Sequence, residues 1–192
     1  PLAEEFGCRY GTCPRLSHDD YIGQQATKMT ADNWCSGDLI CFVDSDQVFR
    51  RPMDASDFVD KDGKVAMLKT RYSEIECPWQ PVTSRIVGFP VEYEYMRRLP
   101  LAYPRNVLFV ARRHIEGTHH MAFEDFIRRV PRREFSEFNV LGAVAEAFCP
   151  DQFTIRDTAT VPDLPPPFSR QFWSWGGVTP EIEREIETIL TP

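Results

Sequence analysis

Asp38-Leu39-Ile40-Cys41-Phe42-Val43-Asp44-Ser45-Asp46 is a short, continuously apolar run that ends in two carboxylates. A run of this length between turn signals predicts a strand buried on both faces. Asp44 and Asp46 then leave its carboxyl end two residues apart, a spacing that presents both side chains to one side. Two such carboxylates suit one divalent cation, Mn²⁺ or Mg²⁺, whose other positions are filled by water and by the oxygens of a diphosphate. The competing reading is a pair of solvated loop acids after a core strand. The triplet carries little weight by itself, because a chain with 14 aspartates is expected to contain an Asp-x-Asp pattern about once by chance. Asp60-Lys61-Asp62 repeats the pattern in a polar turn before Gly63, where a structural role is the natural reading.

Outward from this run, Ser17-His18-Asp19-Asp20 offers capping oxygens to a helix over residues 21–29 that ends near Asn33. Downstream, residues 64–69 predict a second strand, residues 79–87 and 91–98 predict helices, and Val107-Leu108-Phe109-Val110 predicts a third strand. Residues 123–127 read as a short helix, and Ser136 opens a longer one that Pro150 stops after Phe148. A loop rich in proline and aromatics spans residues 162–177, and Thr179-Pro180-Glu181 caps a final helix over 182–190. No internal repeat is present. The mixture predicts one α/β domain over residues 1–192, with ligands bound along the carboxyl edge of the sheet.

A net charge of -7, from 22 basic and 29 acidic residues, argues against a broad phosphate-backbone-binding surface. The local pairs Arg50-Arg51, Arg97-Arg98, Arg112-Arg113, Arg128-Arg129 and Arg132-Arg133 read mostly as solvated helix ends and loops. No apolar run approaches the roughly 20 residues of a membrane span. Four of the cysteines stand singly in ordinary segments, which fits a reducing cytoplasm better than a disulfide framework. Cys8 and Cys13 suggest half of a zinc site or a local bridge, but no second pair follows at zinc-finger spacing.

Tyr21-Ile22-Gly23-Gln24-Gln25, Lys28, Ala31-Asp32 and the run through Asp44-Ser45-Asp46, with Val48-Phe49 and Pro52, resemble the middle of nucleotide-sugar glycosyltransferases of the GT-A fold. In that family a Gln-Gln-x-x-Lys-type helix precedes a strand ending in the metal-binding acidic motif. A second block, Arg97-Arg98-x-Pro100, Tyr103-Pro104-Arg105 and Phe135-Ser136-Glu137-Phe138-Asn139-x-Leu141-Gly142-Ala143, is similar to a bacterial and phage branch of these transferases. The resemblance covers roughly residues 20–150 and implies a GT-A-like, Rossmann-related mixed sheet flanked by helices. It implies that Asp44 and Asp46 handle Mn²⁺ or Mg²⁺ and the nucleoside diphosphate sugar, with Gln25 and Lys28 near the nucleotide. Lys28 is then a compact positive charge for phosphate, or else an exposed helix cation. Family members begin with one or two strand-helix units that bind the base, whereas 43 residues precede Asp44. The expectation is that these units are shortened, that the chain starts inside the domain, or that a partner chain or second copy supplies the missing wall.

Glu137 and Asn139 are the candidates for the acceptor side, since a carboxylate at a helix start accepts a proton from an attacking hydroxyl. The alternative is that Ser136 caps the helix and Glu137 merely favours its dipole. Trp79, Trp173 and Trp175 offer faces for sugar stacking or serve as packing. His120, with His114 and His119, is the candidate third metal ligand or a structural histidine. The resemblance implies sugar transfer to a hydroxyl acceptor that the sequence does not name, a glycan or, if the chain is phage-encoded, a DNA base. Rival readings are nucleotidyl or phosphoryl transfer, which uses the same carboxylate-metal-phosphate chemistry, and a non-catalytic glycosyltransferase-like binding or assembly module.

Overall fold

The computed structural model describes residues 19–44, 46–97, 100–161, 167–172 and 176–191. Asp19 caps the first helix, α1 (Asp20–Met29), by accepting the amides of Tyr21 and Ile22 at 2.8 and 3.1 Å. Ile22, Gln25, Ala26 and Met29 form its buried stripe, at the spacing of one helix face. A 3-10 turn (Ala31–Asn33) leads to β1 (Leu39–Phe42), which pairs antiparallel with β5 (Leu101–Pro104) so that Phe42 opposes Leu101. Only Ile40 and Phe42 of β1 are buried, while Cys41 faces solvent. The expected burial on both faces is thus corrected to the alternation of a one-sided antiparallel ribbon.

β2 (Gln47–Phe49) follows the acidic pair, and β3 (Val65–Arg71) comes after a 3-10 turn at Ala55–Asp57. β3 is the centre of a three-stranded sheet, antiparallel to β4 (Tyr93–Glu94) and parallel to β6 (Phe153–Asp157). Between β3 and β6 the chain forms α2 (Trp79–Val87), α3 (Arg105–His119), α4 (Phe123–Arg129) and α5 (Glu137–Phe148). β7 (Ser169–Gln171) pairs antiparallel with β2, and α6 (Pro180–Leu190) ends the described chain. The result is a mixed α/β architecture with small mixed sheets. Among the described residues no helix is long and apolar enough to cross a membrane.

Two further sequence expectations are corrected. Residues 107–110 lie inside α3, whose buried side chains Val107, Leu108, Ala111 and Ile115 follow a helical period; the strand is the preceding segment, β5. A four-residue apolar run fits both periods, and the longer stripe that α3 buries against α5 prevails. Within 91–98 the described residues form β4 and irregular backbone rather than a helix. Thr70 pairs with Glu94 there, and Asn139 Oδ1 accepts the Tyr95 amide at 2.8 Å. These long-range bonds satisfy backbone groups that a helix would have satisfied locally.

α5 is buried on nearly its whole circumference from Glu137 to Ala145 and packs on α1, α2, α3, β4 and β6. Its approach to the segment after β4 depends on Gly142. A Cβ there would lie 2.2 Å from Tyr95 Cγ and 2.3 Å from Tyr95 Cβ, closer than atoms can pack. Tyr95 is held by its amide on Asn139 and by its hydroxyl on Glu146 at 2.6 Å, so it has little room to retreat. Gly142→Ala is expected to destabilise the fold by about 3 kcal/mol, the upper range for overpacking. A urea midpoint equal to that of the parent protein would show that this contact does not constrain α5.

Candidate functional site

Phe42, the last residue of β1, packs edge-on against Phe138 with ring centroids 5.6 Å apart and lies 6.3 Å from Tyr103. This apolar anchor fixes the end of β1 against the first turn of α5, so Asp44 emerges beside Glu137. α1 lies alongside and contributes Gln25 and Lys28, three residues apart and therefore on one face.

Lys28 is the centre of the cluster. Its Nζ donates to Asp44 Oδ1 at 2.8 Å and to Glu137 Oε1 at 2.9 Å, and stands 4.6 Å above the Phe138 ring. Gln25 is buried; its Oε1 accepts the Glu137 amide at 3.2 Å. That bond satisfies an amide at the start of α5, a group that no residue of α5 can reach. Ser136, expected to cap the helix, makes no side-chain cap bond; its Oγ accepts Asn139 Nδ2 at 2.8 Å. Asn139 is fully buried and spends its amide on Ser136 and on Tyr95, so it ties α5 to the segment after β4.

The acidic pair is strapped from the other side by β7. Gln171 Nε2 lies 3.1 Å from Asp46 Oδ1 and 3.5 Å from Asp44 Oδ2, so the two carboxylates turn an oxygen each toward one point. Gln47 Oε1 accepts the Asp44 amide at 3.0 Å while its Nε2 donates to Ser169 Oγ, and the Phe172 amide donates to the Asp46 carbonyl. Part of the loop expected over 162–177 is therefore a strand that rigidifies the acidic turn. By contrast, Asp60 of the second Asp-x-Asp accepts the amides of Asp62 and Lys64 and the Thr154 hydroxyl, the structural role its turn context suggested.

The other sequence candidates fall elsewhere. Trp79 opens α2 and packs half-buried against the core; Trp173 and Trp175 lie outside the described residues, as do Cys8 and Cys13. His114 and His119 bond the Val87 and Ile86 carbonyls at the end of α2, at 2.7 and 2.8 Å, a structural use. His120 is the left-handed, exposed residue that closes α3. Among the described residues no three His, Cys, Asp or Glu side chains gather as a metal-holding group, so His120 does not join Asp44 and Asp46. Arg112 is not a solvated helix cation: its fork grips the buried Asp32 at 2.5 and 2.8 Å and joins α3 to the turn after α1.

Sequence reasoning missed Gln47, Gln171 and Glu94. Glu94 is 2% exposed, and its Oε2 is 3.4 Å from Arg97 Nη1. It lines a cleft of about 450 Å³ that Arg97, Ser169 and Gln171 also line, so the cleft reaches the side chain bridging the acidic pair. Burial pushes the Glu94 carboxyl above the usual range, against the pull of Arg97. The β2–β7 pairing sets Gln47 opposite Gln171, and β3 pairs with Glu94 from a different sheet; local sequence carries no signal of either.

Burial likewise raises the Glu137 carboxyl, with Lys28 opposing. For Lys28 burial acts downward, but the two carboxylates outweigh it and its pKa rises. A carboxyl whose folded pKa exceeds its unfolded value contributes stability that is complete below about pH 4.3 and is lost as pH rises through the folded value. The stability of the parent protein relative to Glu137→Gln should therefore decline as pH rises from about 4 into the neutral range in urea denaturation. A difference that stays constant over this range would refute the raised carboxyl.

Comparison of the chain with family models, with curated proteins and with solved structures finds no match in any of the three.

Proposed function

We propose that this site transfers a sugar from a nucleoside diphosphate donor to a hydroxyl acceptor, on a GT-A-like fold in which the acidic pair lies at the end of β1. The observation that carries the reading is the shared position of Lys28. One ammonium holds both the strand-end Asp44 and the buried Glu137, while Gln171 holds Asp44 and Asp46 together. The order of the Gln25 and Lys28 helix, the strand and the acidic pair supports the same reading.

Asp44 and Asp46 would hold Mn²⁺ or Mg²⁺ as a two-carboxylate pair in place of the Gln171 amide that now bridges them, and such a cation draws its other ligands from water and diphosphate. When bound, the cation supplies charge neutralisation for the departing diphosphate. The chain's own groups do the rest. Lys28 brings a compact positive charge to the side of Asp44 where a phosphate approaches. Glu137, at the start of α5 and raised by burial, is the group suited to take a proton. In the transfer, the acceptor oxygen bonds to the anomeric carbon. The bond from that carbon to the diphosphate oxygen breaks with its electron pair on the nucleoside diphosphate, and the hydroxyl proton passes to the Glu137 carboxylate.

A thermal-shift screen of nucleotide sugars is the direct test, since a ligand that binds only the folded chain raises its apparent stability. At least one nucleotide sugar should stabilise the protein in the presence of Mn²⁺, and Asp46→Asn should abolish the shift. Product analysis should find free nucleoside diphosphate; pyrophosphate would indicate nucleotidyl transfer, and no shift with any donor would indicate a non-catalytic module. Glu137→Gln is expected to lower kcat by about 10²–10⁴, the usual worth of a positioned base. Lys28→Met removes the charge that lowers the Glu137 pKa, so the acidic limb of the pH–kcat profile should move to higher pH. An unmoved limb would argue against Glu137 as the base.

A further inference from the structure

A second cleft, of about 490 Å³, shares Arg97 and Pro167 with the one that reaches Gln171, so the two clefts adjoin at these residues. β3 lies at the floor of the second. Arg156, opposite Leu68 on β6, enters from one side of β3, and Arg97, three residues beyond Glu94 of β4, enters from the other. Met67, Leu101 and Phe168 supply apolar wall, which lowers the local dielectric and strengthens any charge contact made there.

The charges in this far cleft are unequally occupied. Arg51 has its fork filled by both oxygens of Asp57 and by the Pro52 carbonyl. Asp60 is committed to its own turn and to Thr154. Arg97 makes one long bond, 3.4 Å, to Glu94. Arg156 is exposed and has no ionic partner among the described residues. Two guanidiniums therefore face the far cleft with donors to spare, in a chain whose net charge is -7. The near cleft is different: Glu76 and Glu94 stand with Arg97 and with Arg170, which is paired to Glu185.

We propose that the two adjoining clefts form an acceptor subsite for a phosphorylated carbohydrate. Its phosphate is held by Arg97 and Arg156, and its hydroxyl end is directed through the near cleft toward Gln171 and the acidic pair. A dianionic phosphate monoester matches two planar guanidiniums in charge and in donor geometry. The acceptor role rests on the glycosyl-transfer reading; the phosphate anchorage does not.

The test is calorimetric titration of the full chain with glucose 6-phosphate, glucose and inorganic phosphate, each with and without Mn²⁺. Glucose 6-phosphate should bind with Kd on the order of 1 mM or tighter, independently of Mn²⁺, while glucose should not bind. Arg156→Ala, an exposed substitution that leaves folding intact, should weaken binding about tenfold, as should raising the salt from about 0.05 to about 0.3 M. Arg97→Ala should do the same, with Arg156→Ala as the safeguard should unpairing Glu94 disturb the fold. Four results would overturn the proposal: no binding of the sugar phosphate, equal binding of glucose, binding that requires Mn²⁺, or binding unaffected by Arg156→Ala. Inorganic phosphate binding as tightly as the sugar phosphate would overturn the carbohydrate part. Sugar phosphate bound in the absence of any nucleotide-sugar thermal shift would overturn the transfer reading and leave the anion anchor standing.

Discussion

The Lys28 ammonium is the point on which the arrangement of the site depends. It joins segments 16 and 109 residues away in sequence, the turn after β1 and the first turn of α5. Asp44 and Glu137 would repel each other if brought together alone; with Lys28 between them the local charge falls to that of one carboxylate. The group is largely shielded, with Lys28 and Glu137 side chains 18% and 8% exposed. Breaking such a pair by removing one partner costs on the order of 3–5 kcal/mol, mostly because the remaining charge is left unpaired. The Phe138 ring beneath Lys28 fixes the direction of approach as well as adding a favourable face for the cation.

Around this contact the scaffold supplies rigidity from two directions. On the helical side, Gln25 takes the first amide of α5, and Arg112 clamps Asp32 to α3, so α1 cannot shift without breaking buried polar contacts. His114 and His119 close the last carbonyls of α2 and lock it to α3. On the strand side, Gln47 and Gln171 confine the acidic turn through pairing between β2 and β7. The separation of the two carboxylates is thereby set by packing rather than by the preferences of a free loop.

Much of the element content is legible in the residue pattern alone. The α1 cap and stripe, β1, the Asp60 turn, α2, α5 and the proline-led α6 all follow from local capping, periodicity and turn chemistry. The two misread elements share one cause. Val107-Leu108-Phe109-Val110 and the Val91 to Tyr95 stretch are short enough to fit more than one period, and their states are fixed by what they pack against. The candidate site divides in the same way. Lys28, Asp44 and Glu137 each stand out singly in the sequence, but nothing local indicates that one ammonium binds both carboxylates.

The sequence by itself determined the chemical inventory and its local geometry. It placed Gln25 and Lys28 on one helix face, two carboxylates beyond an apolar strand, and a carboxylate at the start of a helix. These follow from residue spacing and from backbone groups that nearby side chains can satisfy. The tertiary structure alone decided that Glu137 is buried against Lys28 and that Asn139 serves packing. It also made Gln171, from within the segment rich in proline and aromatics, the bridge across the acidic pair. Each of these is a long-range contact whose partners are chosen by strand pairing and helix burial, and none is encoded in any short stretch of chain.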